Sequence, residues 1–590
     1  MLVEAMKRLL DEISMDTPKA ILERFGSLVR ESGSEDERVA AQFLSSLLDQ
    51  WGVPHQVHRP NLYLSVPRLA RLKLILPVEK EIRAKNPAFS VITGDEWRGG
   101  ELVYVPTGFK KKWDNQKDAS FDPASGSLSG KIVLTEGFPR PARIRELNEQ
   151  GIIGAIFIHP GKNIHESICT PIWGAPDLDT YENVPKLPVL MINRTDGQEL
   201  IDRIAEGTVE VQFQTHLDQG WFTCPLIDIF IEGTEEPDKY VLLHGHMDSW
   251  HQGLGDNATG NAAMIEMARV FYQNRHLLKR SLRIAIWPGH STGRYAGSTW
   301  FADTYGLDLD ENCIAPVNCD SPGCRWATSY HEMSWMSEVD PFCKTAIQEA
   351  IGEESVGHRP SRAGDYSFHN IGLTAFYMLS SCIPDELLQE KGYYPVGGCG
   401  SNIEWHTEED LIHIIDYEIL ERDIRVYTAS LYRIVNATLH PFQFVNTADE
   451  FIQTIETYQD SAGKHFSFEL ALGEARELRT TLIDFYNRIE HVQLHTKDVS
   501  DPQVKQVNQV LRGLSRSLVS INFTRRGKFW HDPAIDIPPL PDIAPATTLP
   551  QLEEGSHHYR VTLTHLMRGQ NRLAWTLHQA KRLVRTSSVF

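Results

Sequence analysis

Three short apolar runs constrain most tightly what this chain can fold into. YVLLHGH (240–246), LRIAIWPGH (282–290) and IAPVNCD (314–320) each stop where polar, Gly or Pro residues begin. Between the first two lies GNAAMIEMARVFYQ (260–273), which has the texture of a helix. Strands separated by helices imply a mainly parallel sheet, and such sheets gather ligands at the carboxyl ends of their strands. The chemically suggestive residues of this stretch lie at those ends.

A second α/β texture precedes it. KIVLTEG (131–137), IIGAIFIHP (152–160) and LPVLMIN (187–193) are short β-branched runs, with the helix-like ARIRELNEQG (142–151) among them. Near the start, SEDERVAAQFLSSLLDQWG (34–52) places Val39, Phe43 and Leu47 at four-residue steps between a capping Ser34 and a terminating Gly52. Beyond about 445 the pattern turns helical, with Ala471, Ala475, Leu478, Leu482 and Phe485 on one stripe and Leu566, Leu573, Leu577 and Val584 on another. Between them DPAIDIPPLPDIAPATTLP (532–550) is too rich in Pro for helix or central strand. At about 100–200 residues per domain, 590 residues hold several cores. The expected division is an α/β core from 1–75 plus 225–445, an α/β insert at 76–224, and a helical domain at 446–590.

Charge excludes some functions. Acidic residues outnumber basic ones 78 to 58, for a net charge of −20, so nucleic acid and anionic membrane are repelled rather than bound. No run of about 18 apolar residues exists, and the N-terminus lacks the uninterrupted apolar stretch of a signal peptide. The eight cysteines form no CxxC pair, as expected for reduced thiols of a cytoplasmic protein.

Chemistry concentrates in HGHMDSWHQGLGDNATGN (244–261). His246 and Asp256 sit on a glycine-rich loop leaving a strand, where a carboxylate and an imidazole can converge on one ion. Asp320 ends a strand, and His406 lies in IEWHTEED where an apolar segment turns polar. Two imidazoles and two carboxylates suit zinc first, with iron or manganese as the other ions this donor set accepts.

The order of these segments resembles the zinc aminopeptidase, glutamate carboxypeptidase II and transferrin receptor family. The HxD and GxDNATG segments are similar to its metal loop, and NCDSPG and EWHTEED to its later ligand segments. The resemblance covers nearly the whole chain. It implies a metallopeptidase-like core, an insert similar to a protease-associated domain, and a helical tail similar to a dimerisation domain, hence a homodimer. It further implies that His246 and Asp320 bind one metal and His406 a second, that Asp256 bridges, that Asp248 orients His246, and that the Asp256–Asn257 peptide is cis.

One departure stands out. Where the family has an acidic pair, a general base followed by a metal ligand, WPGHSTGRYAGS carries His290 and Ser291. Two certain carboxylates, Asp256 and Asp320, balance one divalent ion, and two dications side by side in a low-dielectric pocket would repel. The expectation is therefore one metal, with His290 as its further ligand or as acid/base near neutral pH. GHSTG is spelled like a nucleophile elbow, but the acid and histidine of that layout do not follow.

For substrate binding the candidates are Arg294, Arg362, Asp365, Tyr366 and Trp405, the arginines as carboxylate clamps; His251 and His369 are weaker ones. The leading expectation is a metal-dependent hydrolase acting on an amide-like bond of a small molecule or short peptide. The rivals are a non-hydrolytic metalloenzyme (a lyase, a cyclase or an iron-dependent enzyme) and a binding or scaffold protein on a retired peptidase fold.

Overall fold

The computed structural model describes residues 2–109, 127–496 and 498–587, so the stretch 110–126 of the expected insert lies outside it. The core is a five-stranded sheet in the order 55–58, 226–231, 280–287, 236–246, 313–318. The last three strands, which carry the apolar runs of the sequence, are mutually parallel. The strand 226–231 pairs antiparallel with 280–287, and 55–58 pairs antiparallel with 226–231, so the sheet is mixed, with its parallel part at the strands that end in functional residues.

Every residue of 280–287 and 313–318 is buried, as helices on both faces require. Alternation sorts the side chains between two cores. Val241, Leu243, Ile284 and Ile286 join the helices 35–51, 259–273 and 417–436 on one face. Tyr240, Leu242, Ala285 and Trp287 pack with Phe301 and Leu309 of 296–304 and 306–312 on the other. The helix 35–51 starts where Ser34 Oγ accepts the Glu37 N–H at 3.1 Å and stops at Gly52, whose φ of 68° suits glycine.

The insert is built on a seven-stranded sheet in the order 80–82, 61–76, 210–223, 98–104, 132–136, 154–158, 189–192. Its first long strand, 61–76, pairs along its length with 210–223, so this sheet begins at 61 and the boundary expected at 75/76 falls at the strand's end. Sequence periodicity could not show this, because a two-stranded ribbon reaching out of the core reads like either neighbour.

The tail holds the helices 444–462, 469–495, 502–523 and 557–585, with short 3₁₀ turns at 544–547 and 549–551 in the Pro-rich excursion. Ala471, Ala475, Leu478, Leu482 and Phe485 are fully buried on 469–495. Among the described residues no helix is long and apolar enough to cross a membrane. All eight cysteines are free thiols.

Glu338 ties tail to core. Thr374 Oγ1 donates to its Oε1 at 2.7 Å and Thr447 Oγ1, on the helix 444–462, to its Oε2 at 3.1 Å. Burial outweighs these bonds and pushes its carboxyl up to about 7. A carboxyl raised in the folded chain costs nothing while it is protonated in both states, and its penalty grows as pH rises from the unfolded value toward 7 and is then constant. Glu338→Gln is expected to stabilise the protein by about 2–3 kcal/mol more at pH 8 than at pH 5, measured by denaturant unfolding at both values.

Candidate metal centre

The strand 236–246 delivers His246 to the rim of the sheet, 1% exposed. Its Nδ1–H donates to the backbone carbonyl of Asp248 at 2.8 Å, which turns Nε2 toward Asp256 Oδ1 at 2.9 Å and Asp320 Oδ2 at 3.6 Å. His406 is held the same way from elsewhere in the chain. Its Nδ1–H donates to the carbonyl of Glu166 at 3.0 Å, leaving Nε2 3.1 Å from Asp256 Oδ2. Asp256 thus stands between two imidazoles, each presenting an unprotonated nitrogen when the ring is neutral.

With neutral rings, lone pairs face lone pairs here, an arrangement that a metal ion or a ring proton between them relieves. His246 Nε2 and Asp256 Oδ1 are buried and make no hydrogen bond despite their proximity. Donor atoms on one tetrahedral ion with bonds of about 2.0–2.1 Å stand about 3.3 Å apart, so separations of 2.9–3.6 Å fit adjacent ligands. Burial alone would lower the His246 ring, but the Asp256 and Asp320 carboxylates outweigh it and hold the ring well above the ordinary histidine range. Burial would raise Asp256, and the two imidazoles outweigh it in turn, holding that carboxyl well below its usual range. The donor set fits a divalent ion such as zinc.

His290 bears on how many protein ligands there are. A nitrogen of its ring lies within 4.8 Å of the donor atoms of His246 and Asp320. Yet its ring stacks on that of His246, with centroids 3.9 Å apart and planes only 14° from parallel. Imidazole lone pairs lie in the ring plane, so two stacked rings cannot both aim at one ion. The donor atoms that lie within 4.8 Å of one another are those of His246, His290 and Asp320, while Asp256 approaches His246 and His406.

Asp365 Oδ2 lies 2.7 Å from His290 Nδ1, and its Oδ1 accepts from Ser298 Oγ at 2.8 Å. Although burial works the other way, His290 holds the Asp365 carboxyl down at about 2, so it is ionised at neutral pH. The residue expected to bind substrate instead fixes the His290 tautomer with Nε2 free. Asp248, expected to orient His246, does so through its carbonyl; its carboxylate accepts the backbone N–H groups of His290 at 3.1 Å and Ser291 at 2.8 Å.

Other expectations are corrected similarly. Tyr366 is fully buried and stacks on His369, itself packed on Phe523, so both belong to the core. Arg362 donates to the carbonyls of Asp532 at 2.6 Å and Pro533 at 3.3 Å and lies 3.7 Å over the Trp173 ring, committed to the tail. Trp405 stacks on His406 at 3.7 Å and flanks the cluster. His251 contacts the Glu166 carboxylate at 3.1 Å.

The loop 246–257 is held from beneath. The fully buried Arg30 donates to the carbonyls of Met247, Gln252 and Gly253 at 3.0, 2.7 and 2.9 Å. Asp410 accepts the N–H groups of Gly255 at 2.6 Å and Asp256 at 3.0 Å. Asn257 Oδ1 accepts from Gly260 at 3.1 Å and Ser321 at 3.0 Å, locking this loop to the one bearing Asp320. The Asp256–Asn257 peptide is cis, the form the resemblance implies.

The insert roofs the cluster. Its loop 164–174 exchanges backbone bonds with His406 at Glu166, and Gly174 N–H donates to the Arg294 carbonyl at 2.8 Å on the far side. Sequence reading missed Glu166, which lies in the polar segment HPGKNIHES (159–167) following the apolar run IIGAIFI.

Comparison with known proteins agrees with this layout. Residues 229–429 match the description Peptidase family M28. A probable glutamate carboxypeptidase VP8 of Zea mays is 31% identical over 120 residues, 20% of this chain and 17% of the relative. Carboxypeptidase Q of Xenopus laevis is 25% identical over 287 residues, 46% of this chain and 58% of the relative, so the chain spans less than two thirds of these curated relatives. The structure of a zinc aminopeptidase from Bacillus subtilis superposes with a TM-score of 0.51 at 18% identity, covering 72% of this chain and 95% of that one, which shows a shared fold. In the M28 segment the Arg30 clamp comes from outside the matched residues. Arg30→Met leaves three buried carbonyls unpaired and is expected to lower stability by about 3 kcal/mol or more and to speed zinc loss to a chelator, read by unfolding and by residual zinc content.

Proposed function

We propose that this protein is a metal-dependent hydrolase that cleaves an amide or peptide-like bond of a small molecule or short peptide, with one tightly held divalent ion, zinc first. The observation that carries the reading is the convergence of Asp256 and Asp320 on His246, beside a His290 ring that is itself paired with Asp365. An ion held by those donors supplies Lewis acidity to the scissile carbonyl and the attacking water.

The chain's own groups do the rest. His290 Nε2, free because Nδ1–H is held by Asp365, accepts the proton of the attacking water and returns it to the leaving nitrogen. Asp365 stays ionised and stabilises the imidazolium that forms meanwhile. Asp248 fixes the backbone of 290–291, which keeps the His290 ring beside the donor cluster. The dyad supplies the proton-transfer function that a glutamate provides elsewhere in the resembling family. His406 Nε2 faces the second oxygen of Asp256, and among the described residues the one group of three mutually close donors is His246, His290 and Asp320.

Purified protein is expected to contain one equivalent of zinc per chain by elemental analysis. His290→Ala and Asp365→Asn should keep that equivalent and lower kcat by about 100- to 10,000-fold on a panel of unblocked dipeptides and aminoacyl p-nitroanilides. Loss of zinc from His290→Ala would make His290 a ligand. Two equivalents in the wild type would overturn the single-ion reading, and a wild type that holds none and cleaves nothing would overturn the function.

A further inference from the structure

We infer that the cavity where insert, core and tail meet is a binding site for a small neutral aromatic molecule bearing one hydrogen-bond donor, which Asn370 Oδ1 receives. The site is separate from the metal centre and does not rest on the hydrolase reading.

The cavity has a volume of about 950 Å³, enough for a drug-sized molecule. Its walls come from three parts of the chain: Trp173 from the insert, Leu307 and Asn370 from the core, and Phe529, Trp530 and His531 from the tail. None of His246, Asp256, Asp320, His290 and His406 lines it. Trp173 packs on Tyr295 at 4.3 Å and Tyr295 meets His290 edge-on at 4.9 Å, so an aromatic pair stands between the cavity and that imidazole. Arg294, 5.2 Å over the Tyr295 ring, is not in the wall either.

Hydrogen bonding decides which polar atom of the wall is left over. His531 Nε2 lies 2.9 Å from Asp303 Oδ1, so the neutral ring carries its proton there and keeps Nδ1 as an acceptor. Asn370 Nδ2 donates to that Nδ1 at 3.5 Å. The amide nitrogen is thereby committed. Its Oδ1 is buried in a residue only 4% exposed and has no partner. A bare buried carbonyl is costly, and an N–H or O–H of a ligand is the group that would satisfy it.

Charge excludes an ionic ligand, because the five lining carboxylates already have partners. Asp177 faces Arg526 at 3.8 Å, Glu182 faces Lys186 at 3.7 Å, Asp303 faces His531, and Asp308 faces Arg283 at 3.3 Å. Asp532 accepts the Arg525 N–H at 2.9 Å and attracts the buried Arg362. Arg145, exposed on the helix 141–149, is the remaining charge.

Apolar surface is what the cavity has in excess. Leu307, Trp530 and Phe529 are 73, 50 and 41% exposed although they line one space. Phe529 is held at a φ of 66°, unfavourable for a bulky residue, and its ring packs on Gly306, where a Cβ would lie 3.2 Å away. The loop that carries it is pinned on three sides, by Arg526 to Asp179 at 3.1 Å, Lys528 to Asp310 at 2.7 Å and His531 to Asp303. The wall is thus preformed, and a flat ring laid on it would bury aromatic area that the fold leaves in water.

The test uses indole and benzofuran, rings of one size in which an ether oxygen replaces the N–H. Their binding to full-length protein is measured by equilibrium dialysis in zinc-loaded and metal-depleted form. Indole is expected to bind at one equivalent per chain in both forms, and benzofuran at least about tenfold more weakly. Asn370→Leu should erase that difference. Trp530→Ser, at a half-exposed position where folding is not at stake, should weaken both probes by about five- to tenfold. The proposal is overturned by the absence of saturable indole binding, by equal affinity of the two probes for wild type, by an indole preference that survives in folded Asn370→Leu, or by binding that requires zinc. Since the readout needs neither metal nor turnover, failure of the hydrolase reading leaves it interpretable.

Discussion

The arrangement of the centre depends on one carboxylate facing two histidines whose other nitrogens are already taken. Asp256 can sit between His246 and His406 only because each ring gives its Nδ1 proton to a backbone carbonyl, of Asp248 and of Glu166. Those carbonyls decide which nitrogen faces inward, and so decide that the cluster offers lone pairs rather than protons. One of them belongs to the insert. The insert is therefore part of the centre's construction as well as its roof, and a chain lacking 164–174 would leave His406 free to turn.

Support for this geometry is redundant from below and sparse from above. Arg30 and Asp410 hold seven-residue and two-residue stretches of the same loop from opposite charges, and Asn257 stitches that loop to Asp320. The buried Arg30 cation also offsets the negative charge of Asp410, Asp248, Asp256 and Glu37. Above, the roof is fastened at His406, at Arg294 and at Trp173, whose Nε1–H donates to Ser367 Oγ at 2.8 Å.

Much of this was legible in the sequence, for stated physical reasons. Strand ends announce themselves because apolar runs must stop where the sheet does, so His246, His290 and Asp320 could be placed at a common rim. The helix 35–51 was readable from its cap, stripe and glycine. What could not be read was the direction of side chains beyond the strand ends: Asp365 and Tyr366 are adjacent, yet one meets His290 and the other enters the core. Arg294 and Arg362 likewise look equivalent in composition, and only the tail carbonyls at 532–533 distinguish them. Such contacts join residues 75 to 171 positions apart and leave no local period.

The replacement of an acidic pair by His290 and Ser291 has a consequence for charge that the dyad resolves. A glutamate base carries its negative charge into the centre, whereas a neutral imidazole leaves the ion less compensated and more electrophilic. Asp365 restores a negative charge, but one residue-length farther out and screened by the imidazole ring. Because Asp365 is fully buried and anchored by Ser298, the His290 ring is held by contacts independent of the three donors, and it can be altered without dismantling them.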